Sequence, residues 1–445
     1  MPVSNGLKTS LNAIREISSE IYHQYVPIID DDTDIGTFGT PILNTPAVMN
    51  EFISSLVNRI VYTQFERKYF RNPLQVLEGD RIPLGYAGQE VFVNPAKGRK
   101  FNVNDFAGIL CKYEADVKVQ YTSVNMDLQY PVSISRHALK KAFVSWEALD
   151  GFIGELSNSL YNGAYIDEYQ FTKELVSGAY KSNQAQIELV TAPSTEALAK
   201  TFITKARELF LNFQTPSSSY NAWAKVGGEG RPVKTWANPE DIVFLVRNDV
   251  RAFMDVNVLA SAFNIDKAEL LGNILTVDNF DQYDEEGTKI FDGSAIVAMI
   301  ADKSWFKIKR QDMFLDEWYN PNNRTWQYYL NLTKMYNYSL FANGVIFATS
   351  APTVNATAIE VDKDEVTVEA SATAKVNVIT TPFQANQSIT VSSSAEAVAT
   401  ASITGKVITI TGVASGQNAD GTATITVTCG NLTDTISVTV PYHAS

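Results

Sequence analysis

Apolar residues recur at Leu7, Leu11, Ile14, Ile17 and Ile21, and spacings of three and four predict a short helix at the start of the chain. The run Asp30-Asp31-Asp32-Thr33-Asp34 and a Gly/Pro/Thr-rich stretch follow, so residues 1–47 are expected as an extended N-terminal arm. Val48, Phe52, Leu56 and Ile60 then share one face of a helix expected over 47–65, and Asn72-Pro73-Leu74 breaks the pattern. Residues 89–93 and 99–103 read as strands around Pro95-Ala96-Lys97-Gly98, where Pro fixes φ and Gly relieves the exit of a type I turn. Val124, Met126, Leu128, Tyr130, Val132 and Ile134 alternate strictly, the mark of a half-buried strand.

Ser145 is placed to cap the longest helix, over 146–180, with Glu147 and Asp150 in the first turn where the helix dipole favours anions. Leu149, Ile153, Leu156, Leu160 and Ala164 make its apolar stripe. Gly151, Gly154 and Gly163 each cost about 1 kcal/mol in a helix interior, so the helix is locally weak or another element approaches it closely there. A helix over 195–212, a Gly/Ser-rich loop over 215–235, strands at 242–246, 274–277 and 295–300 and a helix over 249–263 give an α/β alternation. Aromatic and β-branched residues crowd 305–347, which predicts more sheet. From Pro352 onward, strands at 366–368, 376–379, 389–391, 407–410, 423–427 and 436–440 recur about every ten residues, as in a small sandwich.

Composition sharpens that last boundary. All aromatic residues but Phe383 and Tyr442 precede Ser350, and the final 96 residues hold 18 threonines. Ser-Ala-Pro-Thr at 350–353 therefore reads as a linker between two different proteins in one chain. A length of 445 residues allows roughly two to four domains. With 45% hydrophobic and 19% charged residues the chain is globular, not disordered, collagen-like or membrane-embedded. A net charge of −13, negative on both sides of the linker, argues against nucleic-acid binding as the main task. Cys111 and Cys429 fall on opposite sides of the linker and are expected as free, buried thiols. Residues 1–24 lack the apolar centre of a secretory signal, and 335–359 is too often interrupted by polar residues to span a bilayer. The expectation is a chain folded in a reducing cytoplasm without membrane insertion.

Catalytic chemistry is hard to place. His23, His137 and His443 have no metal spacing, and neither a phosphate loop nor a Gly-x-Ser-x-Gly elbow occurs. Gly228-Glu229-Gly230 is a fragment of a dinucleotide fingerprint in a flexible loop. Asp30, Asp32 and Asp34 have the first spacings of a calcium loop, but Ile35 stands where Gly is needed and Pro41 where a bidentate Glu is needed. That run reads as a solvated segment or as a patch docking on a basic neighbour. The pairs Asp167/Glu168 and Glu285/Glu286 read as wet surface. No catalytic, cofactor or metal site is expected. The sharpest basic spot is Lys97, Arg99 and Lys100 with Pro95 and Gly98: either an exposed turn or a hand reaching an acidic neighbour of the same kind.

The order of these parts resembles the major capsid protein of small short-tailed bacteriophages, the picovirus-type podophages. Asn72-Pro73-Leu74 with Ile82-Pro83-Leu84-Gly85 is similar to the entry of that family's extended loop, and Ala142-Phe143-Val144-Ser145-Trp146 to the entry of its spine helix. Residues 255–264 with Leu271-Gly272-Asn273 are similar to its axial segment. Asp302-Lys303, Trp305-Phe306, Asn320-Pro321 and Phe341-Ala342-Asn343 follow in the family's order. The tail separately resembles the bacterial Ig-like domain of group 2, through Ser392-Ser393-Ser394, Ile410-Thr411-Gly412-Val413 and Gly421-Thr422-Ala423-Thr424-Ile425. The tryptophan frequent before that serine run is missing, and Ile389 and Val391 are candidates to fill its place.

The resemblance implies an α+β tailed-phage capsid fold with an all-β Ig-like sandwich. Its parts would be an N-terminal arm (1–47) and a capsid-fold domain (48–350) ahead of the Ig-like domain (351–445). Within the capsid fold it implies an extended loop (79–117), a spine helix (145–180), an axial domain (about 190–304) and a peripheral sheet return (305–350). It further implies self-assembly into pentamers and hexamers of an icosahedral or prolate head shell. The other partners implied are a scaffolding protein, the portal vertex and double-stranded DNA held non-specifically on the inner face, with no membrane. Such a protein is assembled in the host bacterial cytoplasm and ends in the virion. The extended loop near Pro95, Lys97, Gly98, Arg99 and Lys100 would lie across a neighbouring subunit. Some relatives of this fold crosslink through a Lys and an Asn, but nothing identifies such a pair here. The competing readings are a cell-surface or carbohydrate-binding protein using the Ig-like module, which paired cysteines or a secretion signal would favour, and a glycosidase, which would need two placed carboxylates in a barrel.

Overall fold

A computed structural model describes residues 3–62, 70–83, 88–100, 111–228, 230–252, 273–284, 286–414 and 419–442. The chain begins with α1 (Asn5–Ile17), α2 (Glu20–Tyr25), α3 (Ile35–Asn44) and α4 (Pro46–Tyr62). Ser4, Ser19 and Asp34 cap the first three by accepting from the amides of Leu7, Tyr22 and Gly36. An extended arm over 1–47 is therefore not what forms. The reason is burial: Leu11, Ile14, Tyr22, Val26, Phe38 and Ile42 share one core with Phe52 and Leu56 of α4. Ile17 and Ile21, part of the same sequence periodicity, are exposed, because α1 ends at Ser18 and the chain turns.

β1 (Gly88–Val93) pairs with β2 (Val117–Thr122), followed by β3 (Met126–Ser135), α5 (Arg136–Ala142) and α6 (Trp146–Lys181). Among the described residues the tight hairpin expected around 95–98 has no second strand. Arg99 and Lys100 carry no strand, 101–103 lie outside the described residues, and the partner of β1 comes after residue 116. Ser145 Oγ accepts from the Ala148 amide at 3.1 Å and starts the 36-residue α6. There follow β4 (Gln186–Leu189), α7 (Glu196–Phe213), β5 (Ile242–Arg247), β6 (Ile274–Val277), β7 (Gln282–Tyr283), β8 (Lys289–Phe291), β9 (Ile296–Asp302), β10 (Phe306–Asn320), β11 (Thr325–Tyr338) and β12 (Gly344–Ala348).

Contacts divide the chain into two compact units. The first holds residues 1–90, 119–173 and 306–338. Its three-stranded antiparallel sheet runs β10-β11-β3, and Leu149, Ile153, Leu156 and Leu160 of α6 join the helical core described above. At Gly163 a Cβ would stand 3.4 Å from the Tyr130 ring of β3, at ordinary van der Waals contact, so the strand lies against the helix there without requiring a glycine. Gly151 meets nothing within 4 Å.

The second unit holds 91–118, 174–305 and 339–445. Its main sheet runs β4-β12-β9-β5-β6, parallel at the β12–β4 and β5–β6 pairs and antiparallel at β12–β9 and β5–β9. β9 is buried at Ile296 through Ala301, and Phe202 of α7 sits with its ring centroid 5.1 Å from Phe347 and 6.1 Å from Phe244. A strand buried on both faces reads as a continuous apolar run, which is what Ile-Val-Ala-Met-Ile is. The helix expected over 249–263 is described only at Asn248–Ala252, and the family-like stretch 255–264 lies outside the described residues.

The same unit ends in a sandwich of two four-stranded sheets. Its strands are β13 (Ala358–Val361), β14 (Glu365–Thr367), β15 (Thr373–Thr381), β16 (Ile389–Ser393), β17 (Ala399–Thr404), β18 (Val407–Gly412), β19 (Gly421–Cys429) and β20 (Leu432–Val440). They order as β13-β15-β18-β17 and β14-β20-β19-β16 around Val376, Ile408, Ile425, Val427 and Val438. β13 and β17 add to the six strands expected from sequence. Ile389 and Val391 pack, partly buried, against that core. Cys429 is buried as expected, whereas Cys111 is exposed, so the expectation of two buried thiols fails at Cys111. Among the described residues no helix is long and apolar enough to cross a membrane.

Candidate assembly surfaces

Pro95, Lys97, Gly98, Arg99 and Lys100 are all exposed, in an irregular segment that leaves the end of β1. What fixes the segment is a residue the sequence did not advertise. Asn94 is buried, and its Nδ2 donates to Asp116 Oδ2 at 2.7 Å and to the Pro232 carbonyl at 3.2 Å. Its Oδ1 accepts from the Lys234 amide at 2.9 Å, and its own amide donates to the Asp116 carbonyl. One buried amide thus uses donor and acceptor together, and replacing it would leave buried groups unpaired.

Asp116 is the second anchor. Its carboxylate lies 3.0 Å from Lys118 Nζ, and the hydrogen bond from Asn94, then that from Lys118, hold its pKa below the usual carboxylate range. Arg231 donates to the Pro95 carbonyl at 3.4 Å, and the Arg99 guanidinium stacks over Tyr113 at 5.3 Å. The segment frames an open cleft of about 660 Å³ lined by Val93, Asn94, Lys97, Arg99, Tyr113 and Arg231. A fixed stem carrying an exposed basic run suits contact with another molecule.

The pair Asp167/Glu168, expected as wet surface, is in fact an anchor point of the first unit. Lys334 is 1% exposed and its Nζ lies 2.5 Å from Glu168 and 3.1 Å from Glu78. Arg310 approaches the same two carboxylates at 3.6 and 3.5 Å. Arg310 and Lys334 are direct cross-strand partners on β10 and β11, so two cations face each other and need the carboxylates between them. Sequence spacing could not reveal this, since Glu78, Glu168, Arg310 and Lys334 come from four distant places.

Asp167 accepts from Tyr130 Oη at 2.9 Å, and burial raises its pKa above the ordinary value. A carboxyl whose folded pKa is raised loses its stabilising contribution as pH climbs from the unfolded value through the folded one. Asp167→Asn is therefore expected to melt at or above the parent at neutral pH and to flatten the fall in melting temperature between mildly acidic and neutral buffer. A large loss of melting temperature at neutral pH would contradict this reading.

The Ig-like module is fastened to its own unit at several points. Tyr180 Oη donates to the Ser350 carbonyl at 2.7 Å, and Asn183 Nδ2 to the Gln384 carbonyl at 3.0 Å. The Phe383 ring covers Gly227, where φ is +78° and a Cβ would stand 2.9 Å from the ring. Asn386 closes the linker, accepting from the Val354 amide at 2.8 Å and donating to the Pro352 carbonyl at 2.7 Å.

The other sequence candidates find structural roles. Asp30 accepts from Thr33, Asp31 pairs with Lys8 at 2.6 Å and Asp34 caps α3. Among the described residues no cluster of three or more His, Cys, Asp or Glu could hold a metal. His23 hydrogen-bonds the Arg15 carbonyl, and His443 and Glu229 lie outside the described residues.

Comparison with known proteins bears on these surfaces. Residues 11–348 match the model of the Phi29-like phage major capsid protein family, and residues 355–440 match the bacterial Ig-like domain (group 2). The chain is 30% identical over 358 residues to the major capsid protein of Bacillus phage B103, covering 78% of this chain and 75% of that protein. It is 29% identical over 356 residues to the major capsid protein of Bacillus phage PZA, with the same coverage of 78% and 75%. The solved capsid structure of Staphylococcus phage Andhra aligns with a TM-score of 0.52 at 13% identity, over 64% of this chain and 86% of that one, a likeness of fold. The family match runs from within α1 to the end of β12 and stops just before the linker, so the chain belongs to the Phi29-like phage major capsid protein family, forms the capsid shell, and carries a group 2 bacterial Ig-like domain behind it.

Proposed function

We propose that this subunit closes into pentamers and hexamers around packaged double-stranded DNA, with the segment 94–100 of each copy laid on its neighbour. The observation that carries the reading is the stem at Asn94 and Asp116, which holds three exposed bases away from β1 while the chain as a whole is acidic. An acidic subunit meets DNA without trapping it, so the inner face contains the genome without reading it. A scaffolding protein and the portal vertex are the further partners of such a shell, assembly takes place in the host cytoplasm, and the role is structural, not catalytic.

Electron microscopy of the expressed chain, alone and with a candidate scaffold, tests this: shells, rings or sheets are expected, and persistently monomeric material in both preparations would count against it. Removing residues 352–445 is expected to leave assembly intact, because β12 and the sheet it belongs to close before the linker. Loss of shells in that truncation would make the Ig-like module a staple instead of a decoration. Purified particles are expected to run as monomers on denaturing gels; a ladder of covalent multimers would show a Lys–Asn crosslink after all.

A further inference from the structure

The N-terminal helices expose an apolar ridge. Ile21 and Tyr25 stand one turn apart on α2, and with Ile28, at 65% exposure, they point to solvent. The ridge is held firmly from below. Arg15 donates to the carbonyls of Val26 at 2.9 Å and His23 at 3.2 Å, and Asn12 makes a two-way pair with the backbone of Ile29 at 2.8 and 2.9 Å. It leads directly into the acidic turn, where Asp31 and Asp32 are exposed.

The stem of the loop has the complementary make-up. Val91 and Val93 alternate on the outward side of β1 and Val117 opens β2, each about half exposed. Just beyond them come Lys97, Arg99 and Lys100, with no acidic residue between 94 and 100. Single exposed aliphatic residues need no explanation. Two ordered ridges, each continuing into charges of opposite sign, match in both apolar surface and charge.

We infer that, in the shell, one copy seats Val91, Val93 and Val117 on the Ile21–Tyr25–Ile28 ridge of a second copy, with Lys97, Arg99 and Lys100 over that copy's Asp31 and Asp32. The inference rests on the loop-reaching reading proposed above and adds the surface that receives the loop. Because two different patches meet, the contact is head-to-tail, the kind that closes into rings.

The full chain supplies its own probe. Cys429 is buried and Cys111 is exposed, five residues ahead of Asp116 in the chain, so Ile28→Cys adds one thiol on the receiving surface. Treating Ile28→Cys shells with a short bis-maleimide is expected to give covalent oligomers up to pentamers and hexamers, absent from the parent and from a Val144→Cys control. In a second arm, D31K/D32K and K97E/R99E/K100E are each expected to raise the critical concentration for assembly about tenfold or more, and their combination to restore it to within about threefold. Normal shells from Ile28→Cys that link no more than the control, together with a combined reversal no better than either alone, overturn the receiving surface and leave shell assembly standing. Failure of the unmodified chain to assemble removes the shell reading itself.

Discussion

Replacing Lys334 with methionine is expected to cost the subunit about 3–5 kcal/mol of stability, the range seen when one partner of a buried ion pair is removed. Lys334 is among the largest fully buried side chains, and Glu168 beside it is only 4% exposed. With the ammonium gone, the Glu168 carboxylate keeps Arg310 at 3.6 Å as its cation, and Glu78 keeps the same guanidinium at 3.5 Å. One cation then serves two buried or half-buried anions, and the expense of desolvation is left uncompensated. Since domains of this size are stable by about 5–15 kcal/mol in total, the change removes a large part of the margin. Chemical denaturation of unassembled subunit measures it. The double variant Lys334→Met with Glu168→Leu is expected to regain most of the loss, because an apolar pair replaces an ion pair at little net cost. A single variant within about 1 kcal/mol of the parent, or a double variant no better than the single, would show that the four groups are not coupled.

That network also marks where sequence reading stops. The long helix α6 was legible because its signals are local: Ser145 at the cap, Glu147 in the first turn and an apolar stripe at helical spacing. The Ig-like sandwich was legible for the same reason, through short alternating strands. β17 escaped because Ala399-Thr400-Ala401-Ser402 carries small or polar residues whose burial depends on the opposite sheet, and β13 because its alternation, Ile359 and Val361 buried between exposed neighbours, runs for only four residues. The loop failed differently. Pro95 and Gly98 do suit a turn, but Asn94 bonds Asp116 across the stem, so β1 finds its partner more than twenty residues on, a non-local choice. Glu168 looked like half of a surface pair, and only the arrival of Lys334 and Arg310 from strands far along the chain puts it inside. The candidate assembly residues Lys97, Arg99 and Lys100 were legible as exposed charge; the anchors beneath them were not.

Phe38→Ala carries the second large effect, an expected loss of about 3–5 kcal/mol, the usual range for emptying a buried aromatic site. Phe38 is 1% exposed, and its ring centroid lies 5.9 Å from Phe52, 5.9 Å from Phe143 and 5.5 Å from Trp146. These partners come from α4, the end of α5 and the start of α6, so one side chain ties α3 to three later elements. Trp146 adds a hydrogen bond from Nε1 to the Thr33 carbonyl at 3.2 Å, just ahead of α3. Truncating Phe38 opens a cavity at that junction, and the N-terminal helices lose the contact that turns an Asp/Gly/Pro-rich stretch into part of the core. Hydrogen exchange is expected to accelerate across α1 to α3 while β9 and the Ig-like strands, in the other unit, keep their protection. Ile17→Ser, at an exposed position on the same helices, is expected to change stability by no more than about 0.5 kcal/mol. If Phe38→Ala instead left exchange over residues 5–44 unchanged, these helices would be held by something other than the aromatic junction. The ridge at Ile21, Tyr25 and Ile28 stands on this same core, so loosening it is also expected to lower shell yield under conditions where the subunit is still folded.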